Sequence, residues 1–130
     1  MGNSRLVHHA SALAALALLT AAAPRALAPS EKSVIAKEVG KRLKDPESAR
    51  FKWPQVVGDG LTYCGFVNAK NSYGGYAGAV PFLAVIGTPK KPFAAVTDLG
   101  DGDPESFETR FITKECAKAG YDLADLAASL

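Results

Sequence analysis

Residues 63–82 read YCGFVNAKNSYGGYAGAVPF, and the two halves of this stretch decide the fold. In the first half, Leu61, Tyr63, Gly65 and Val67 alternate with Thr62, Cys64, Phe66 and Asn68. A period of two marks a β-strand, because successive side chains leave a strand on opposite faces. In the second half, Tyr76, Gly78, Val80, Phe82, Ala84 and Ile86 share one face, and Ala77, Ala79, Pro81, Leu83 and Val85 share the other. Both faces are apolar, which predicts a central strand covered on both sides. Pro81 argues the other way, since proline donates no ladder hydrogen bond and belongs at an edge or bulge. Between the halves, Lys70-Asn71-Ser72-Tyr73-Gly74-Gly75 has turn chemistry: Asn tolerates left-handed geometry and Gly adopts positive φ at little cost. A hairpin with a wide loop is expected.

Upstream, Ser30 is placed to cap a helix running to about Lys44. Ile35, Val39 and Leu43 recur four apart as a narrow apolar stripe. Glu38 stands four residues before Arg42, a favourable pair. Gly40 weakens the helix interior by about 1 kcal/mol relative to Ala, which suggests close backbone packing there. Asp45-Pro46 ends the helix, because the residue before proline disfavours α geometry. The tetrad Asp45-Pro46-Glu47-Ser48 returns as Asp103-Pro104-Glu105-Ser106. Since the flanking residues differ, the two are read as independent helix starts rather than a duplication. Arg50 to Val57 reads as a strand with Phe51, Trp53 and Val57 on one face, and Gly58-Asp59-Gly60 as a tight turn into the hairpin.

Downstream, Thr88 to Pro92 forms a charged connection and Phe93 to Leu99 a short fourth strand. Pro104 to Ala119 reads as a helix stopped by Gly120. Leu123, Leu126, Ala127 and Leu130 fall at helical spacing for a last short helix. Helix, four strands and helix in this order predict a single small α+β domain with an N-terminal helix, a mainly antiparallel four-stranded sheet and a C-terminal helix. Cys64 and Cys116 would then tie the sheet to that helix.

Residues 1–28 read as a secretory signal peptide, leaving residues 29–130 as the domain. Arg5 supplies the positive start, Ala10 to Ala23 an Ala/Leu-rich run too short to span a bilayer, and Ala26-Leu27-Ala28 small residues for cleavage. Pro29 would hinder cleavage after Ala28, and Thr20-Ala21-Ala22 is the alternative site. A periplasmic or secreted domain of about 100 residues has a modest core, and two cysteines in an exported chain most simply form one disulfide. Closing a loop of roughly 50 residues stabilises by on the order of 4 kcal/mol in the chain-entropy picture.

The chain has 15 Lys and Arg against 13 Asp and Glu, and removing Arg5 and Arg25 leaves 13 of each. The charge is polarised: residues 29–70 carry 8 basic against 5 acidic groups, and residues 98–130 carry 3 against 8. Neutral overall with an acidic end, such a domain is a poor match for a nucleic-acid backbone. Both histidines, His8 and His9, and the single methionine, Met1, lie in the leader. Histidine-dependent catalysis, His-ligated zinc and thioether copper sites are therefore excluded from the mature domain. No cofactor is implied.

Three candidates remain. Asp98, Asp101, Asp103 and Glu105 form an oxygen-rich cluster, but Gly100 and Ile112 stand where an EF-hand needs ligands, so a polar turn is the plainer reading. Lys70 and Ser72 could be base and nucleophile, but an exposed hairpin tip does not desolvate a lysine. The loop carrying Asn68, Lys70, Asn71, Ser72, Tyr73 and Tyr76 is the candidate binding surface, since tyrosines among small polar residues make adaptable contacts. The plain alternative is that Asn and Gly build the turn and the tyrosines pack beneath it.

Leu43-Lys44-Asp45-Pro46 with Ser48-Ala49 and Phe51, followed by Cys64-Gly65, Val67 to Asn71 and Gly74-Gly75-Tyr76 with Gly78 and Phe82, resembles a group of small exported bacterial proteins to which no activity is assigned. The resemblance spans residues 39–82 and departs from the pattern at Phe66 and after Val80. It implies an envelope or secreted setting and no catalytic role. The expected function is an exported, non-enzymatic binding domain whose partner is an envelope protein or cell-wall component, for instance as an inhibitor of an envelope-attacking enzyme. The alternative is a small carboxylate-based hydrolase, which needs a cleft with two carboxylates about 5–9.5 Å apart.

Overall fold

The computed structural model describes residues 23–129. The strands are β1 (Arg50–Lys52), β2 (Thr62–Asn68), β3 (Val80–Ile86) and β4 (Ala94–Leu99), and the helices α1 (Pro29–Gly40), α2 (Phe107–Lys118) and α3 (Leu123–Ser129). The strands form one antiparallel meander in the order β1-β2-β3-β4. This is the α+β domain expected, with Cys64 bonded to Cys116 and their Cα atoms 6.1 Å apart.

The alternation in β2 explains the layering. Tyr63, Cys64, Gly65, Phe66 and Val67 are all buried, so the strand is covered on both faces. Cys64 points to the face covered by α2, whose Ile112 and Cys116 are fully buried. Tyr63 and Gly65 point to the opposite face, where the Phe82 ring lies 6.1 Å from Tyr63. Stacked Phe51 and Trp53 both meet Phe82 edge-on there. Lys32 of α1 lies over Trp53, so α1 covers this face and brings Ile35 and Val39 into the core. Gly65 pairs with Phe82 across the ladder, and a Cβ at Gly65 would stand 2.7 Å from the Phe82 ring. The glycine makes room for the ring.

Pro81 is accommodated within β3 by its position. Within a strand a residue's N–H and C=O point to the same neighbour, and the Pro81 carbonyl accepts from Gly100 N–H, just past the end of β4. The missing donor therefore removes one bond at the end of a ladder rather than from its middle.

Several boundaries differ from the sequence reading. The strand expected over 50–57 stops at Lys52, because Pro54 cannot continue the ladder; Val56 pairs instead with Arg25 as an isolated bridge. The helix expected from Ser30 to Lys44 spans Pro29–Gly40 with Ala28 at its N-cap. Ala has no side-chain oxygen to offer, and the Glu31 carboxylate caps by accepting from Ala28 N–H at 2.8 Å. Gly40 ends the helix, and its α-carbon faces Pro46, to whose Cβ a Cβ there would come within 3.4 Å. The two Asp-Pro-Glu-Ser tetrads diverge: the first forms a 3₁₀ turn, Pro46–Ser48. The second precedes α2, whose N-cap is Ser106, its hydroxyl accepting from Thr109 N–H.

Of the leader read over residues 1–28, residues 1–22 lie outside the described residues. Its last part packs on the domain. Leu27 is buried, Arg25 and Val56 exchange backbone hydrogen bonds of 3.1 and 2.7 Å, and the Arg25 guanidinium makes two 2.8 Å bonds to Glu31. Glu31 is the one buried charged residue among those described. No helix among the described residues is long and apolar enough to cross a membrane.

Candidate functional site

The loop between β2 and β3 is closed by a Lys70–Tyr76 bridge. Within it, Asn71 N–H donates to the Gly75 carbonyl at 2.8 Å, and the Asn71 side-chain oxygen accepts from Tyr73 and Gly75 N–H. Gly74 has φ +80°, the left-handed geometry the turn needs. Asn68 accepts from Gly78 N–H through its side-chain oxygen and ties the far side of the loop. Asn68 and Asn71 are thus turn-building groups.

Tyr76 anchors the loop to the 3₁₀ turn. Its hydroxyl donates to the Ser48 carbonyl at 2.9 Å, while the Ser48 hydroxyl accepts from Lys70 N–H at 2.8 Å. The Arg50 guanidinium lies 4.1 Å from the Tyr76 ring centroid and the Lys70 ammonium 5.8 Å, both within reach of the ring's negative face. The two separated sequence blocks, residues 43–51 and 64–82, therefore form one packed unit through Ser48, Arg50, Lys70 and Tyr76.

Tyr73 differs from Tyr76. It is 97% exposed, and its backbone is held by the Asn71 side chain. Ser72 is exposed beside it, and Lys70 is half-buried against Tyr76. The six candidate residues divide into three that build the loop (Asn68, Asn71, Tyr76), one that bridges (Lys70) and two presented at the tip (Ser72, Tyr73). The reading in which both tyrosines pack beneath the loop holds for Tyr76 and not for Tyr73.

Two of the four carboxylates in the candidate cluster before α2, Asp101 and Asp103, are engaged internally. One Asp101 carboxylate oxygen accepts from Asp103 N–H and from the Ser106 and Thr109 hydroxyls, which holds its pKa below the usual carboxylate value. Asp103 accepts from Glu105 N–H. These bonds hold the entry to α2. Among the described residues, no group of three or more His, Cys, Asp and Glu side chains is arranged to hold a metal.

The surface hollows are open. One of about 380 Å³ is lined by Trp53, Tyr121, Asp122 and Asp125 among others; there Asp122 accepts from Asp125 N–H in the first turn of α3. A broader one, of about 860 Å³, lies along α2 beside the stacked rings of Phe107 and Phe111, with Glu105 its single carboxylate.

Two phenols lie in the core. Tyr63 donates to the Pro54 carbonyl at 2.8 Å, and burial pushes its pKa up. Tyr121 donates to the Thr62 carbonyl and accepts from Val57 N–H, each at 3.3 Å, and burial raises it too. Both clamp the connection between β1 and β2. In comparisons with known proteins, the chain matches no family model, no curated protein and no solved structure.

Proposed function

We propose that this chain is an exported, non-enzymatic binding domain, acting in the periplasm or outside the cell on an envelope protein or a cell-wall component. The observation that carries the reading is Tyr73: a large amphipathic side chain, 97% exposed, on a loop tied by the Asn68 and Asn71 side chains and anchored through Tyr76. A rigid scaffold presenting an aromatic at low entropic cost is what a binding surface requires. The Cys64–Cys116 disulfide suits an oxidising compartment, and membership of the group of small exported proteins resembled by residues 39–82 is part of the same proposal. The near-balanced charge argues against a nucleic-acid partner.

The hydrolase alternative would draw on Asp122 and Asp125 beside Trp53. With Asp122 engaged at the start of α3, this pair is the weaker basis.

The test is capture of partners from the envelope fraction by the immobilised domain, with Tyr73→Ala and Lys70→Ala in parallel. Loss of a specific partner with Tyr73→Ala, at unchanged melting temperature, supports the reading. Unchanged capture by both variants refutes it.

A further inference from the structure

We propose that the leader is removed between Ala22 and Ala23, so that Arg25, Leu27 and Ala28 remain in the exported domain as structural residues. This rests on the export reading above and adds which bond is processed. In the step, water adds across the Ala22–Ala23 amide bond under the action of a signal peptidase. The Ala22 carboxylate leaves with the leader and Ala23 becomes the new ammonium terminus.

The packing on the near side of Pro29 carries the inference. Glu31 is 1% exposed, and its carboxylate accepts three hydrogen bonds, two from the Arg25 guanidinium and one from Ala28 N–H, all at 2.8 Å. Every one of those donors lies upstream of the Ala28–Pro29 bond. Cleavage after Ala28 would take all three donors from the Glu31 carboxylate, leaving water and the new Pro29 terminus in place of a bidentate guanidinium. It would also remove Leu27, 5% exposed in the core, and unpair the backbone of Val56, whose N–H and C=O are both engaged by Arg25. Ala23 and Pro24, by contrast, are exposed, so the tied part of the chain begins at Arg25.

The residues on each side agree. A signal peptidase takes small residues one and three positions before the cut, and Thr20-Ala21-Ala22 meets that with Ala23 following. Cutting after Ala23 or after Ala28 would put Pro24 or Pro29 directly behind the scissile bond, where the ring fixes φ and removes the N–H. Of these three sites, only the one after Ala22 combines small residues, a following residue that is not proline, and a product that keeps Arg25.

The full chain is produced in a bacterial host, recovered from the exported fraction, and its N-terminus determined by intact mass and terminal sequencing. A start at Ala23 is expected. A start anywhere from Ala26 to Pro29 overturns the inference and leaves the export reading standing; retention of Met1 overturns both. As a second measurement, chains 23–130 and 29–130 are produced separately and compared in urea. The shorter chain is expected to have a folding constant lower by about a hundredfold or more; equal constants overturn the inference.

Discussion

Replacing Arg25 with Ala tests how far the segment before α1 belongs to the fold. The side chain is 36% exposed and its partner Glu31 1% exposed, so the pair is half in water and half out of it. Removing one partner of a fully buried pair costs about 3–5 kcal/mol. Glu31 keeps its bond from Ala28 N–H, and Arg25 is partly solvated, so the expected loss at pH 7 is lower, about 2–3 kcal/mol. At about 4 °C per kcal/mol for a domain of this size, the melting temperature falls by roughly 10 °C.

The sign of the pH dependence follows from the same contact. The hydrogen bonds from Arg25 hold the Glu31 pKa below its ordinary value of 4.5. A depressed carboxylate contributes stability that is present above the unfolded pKa and lost as pH falls through the folded one. The wild-type contribution is therefore intact at pH 7 and declines below about pH 4.5. Without Arg25, burial instead favours the neutral carboxyl, so the deficit of Arg25→Ala narrows as Glu31 protonates. Urea melts at pH 7 and pH 4 on chains starting at Ala23, with Glu31→Gln and the double variant completing a cycle, read this directly. A loss below 0.5 kcal/mol at pH 7, or a deficit that widens toward pH 4, would refute the reasoning.

Three further outcomes follow from the packing. Replacing Cys64 and Cys116 together by Ser should lower stability by about 4 kcal/mol, read as a large drop in urea midpoint; a shift under 1 kcal/mol would show that the cross-link contributes little. Tyr76→Phe removes the hydroxyl that donates to Ser48 and should cost about 1 kcal/mol, whereas Tyr73→Ala, at an exposed site, should stay within 0.5 kcal/mol; the reverse order in thermal melts would contradict the division of the loop. Gly65→Ala would set a methyl 2.7 Å from the Phe82 ring and should destabilise by about 1–3 kcal/mol, visible as a lower melting temperature and a changed near-ultraviolet aromatic signal.

Much of the fold was legible because it rests on periodicity. The period of two through Cys64 and Gly65 predicts a strand, and the structure places Cys64 toward α2 and Gly65 beneath Phe82. Strand and helix ends were less legible, because they depend on who supplies the next hydrogen bond. The β1 ladder ends before Pro54, and Val56 finds its partner in Arg25, 31 positions upstream. The tie between Arg25 and Glu31 was hidden by the Ala-rich run around it, although Glu31 three residues after Ala28 is a capping-box spacing. In the loop, the turn-forming part of Asn71 could be read locally. The anchoring of Tyr76 could not, because its acceptor, Ser48, lies 28 positions away.

The covalent link between the sheet and α2 is what the rest depends on. Protein recovered from the exported fraction, treated with an alkylating reagent before and after reduction and mapped by mass spectrometry, should show Cys64 and Cys116 unmodified before reduction and both modified after it. Both cysteines alkylated without reduction would contradict it.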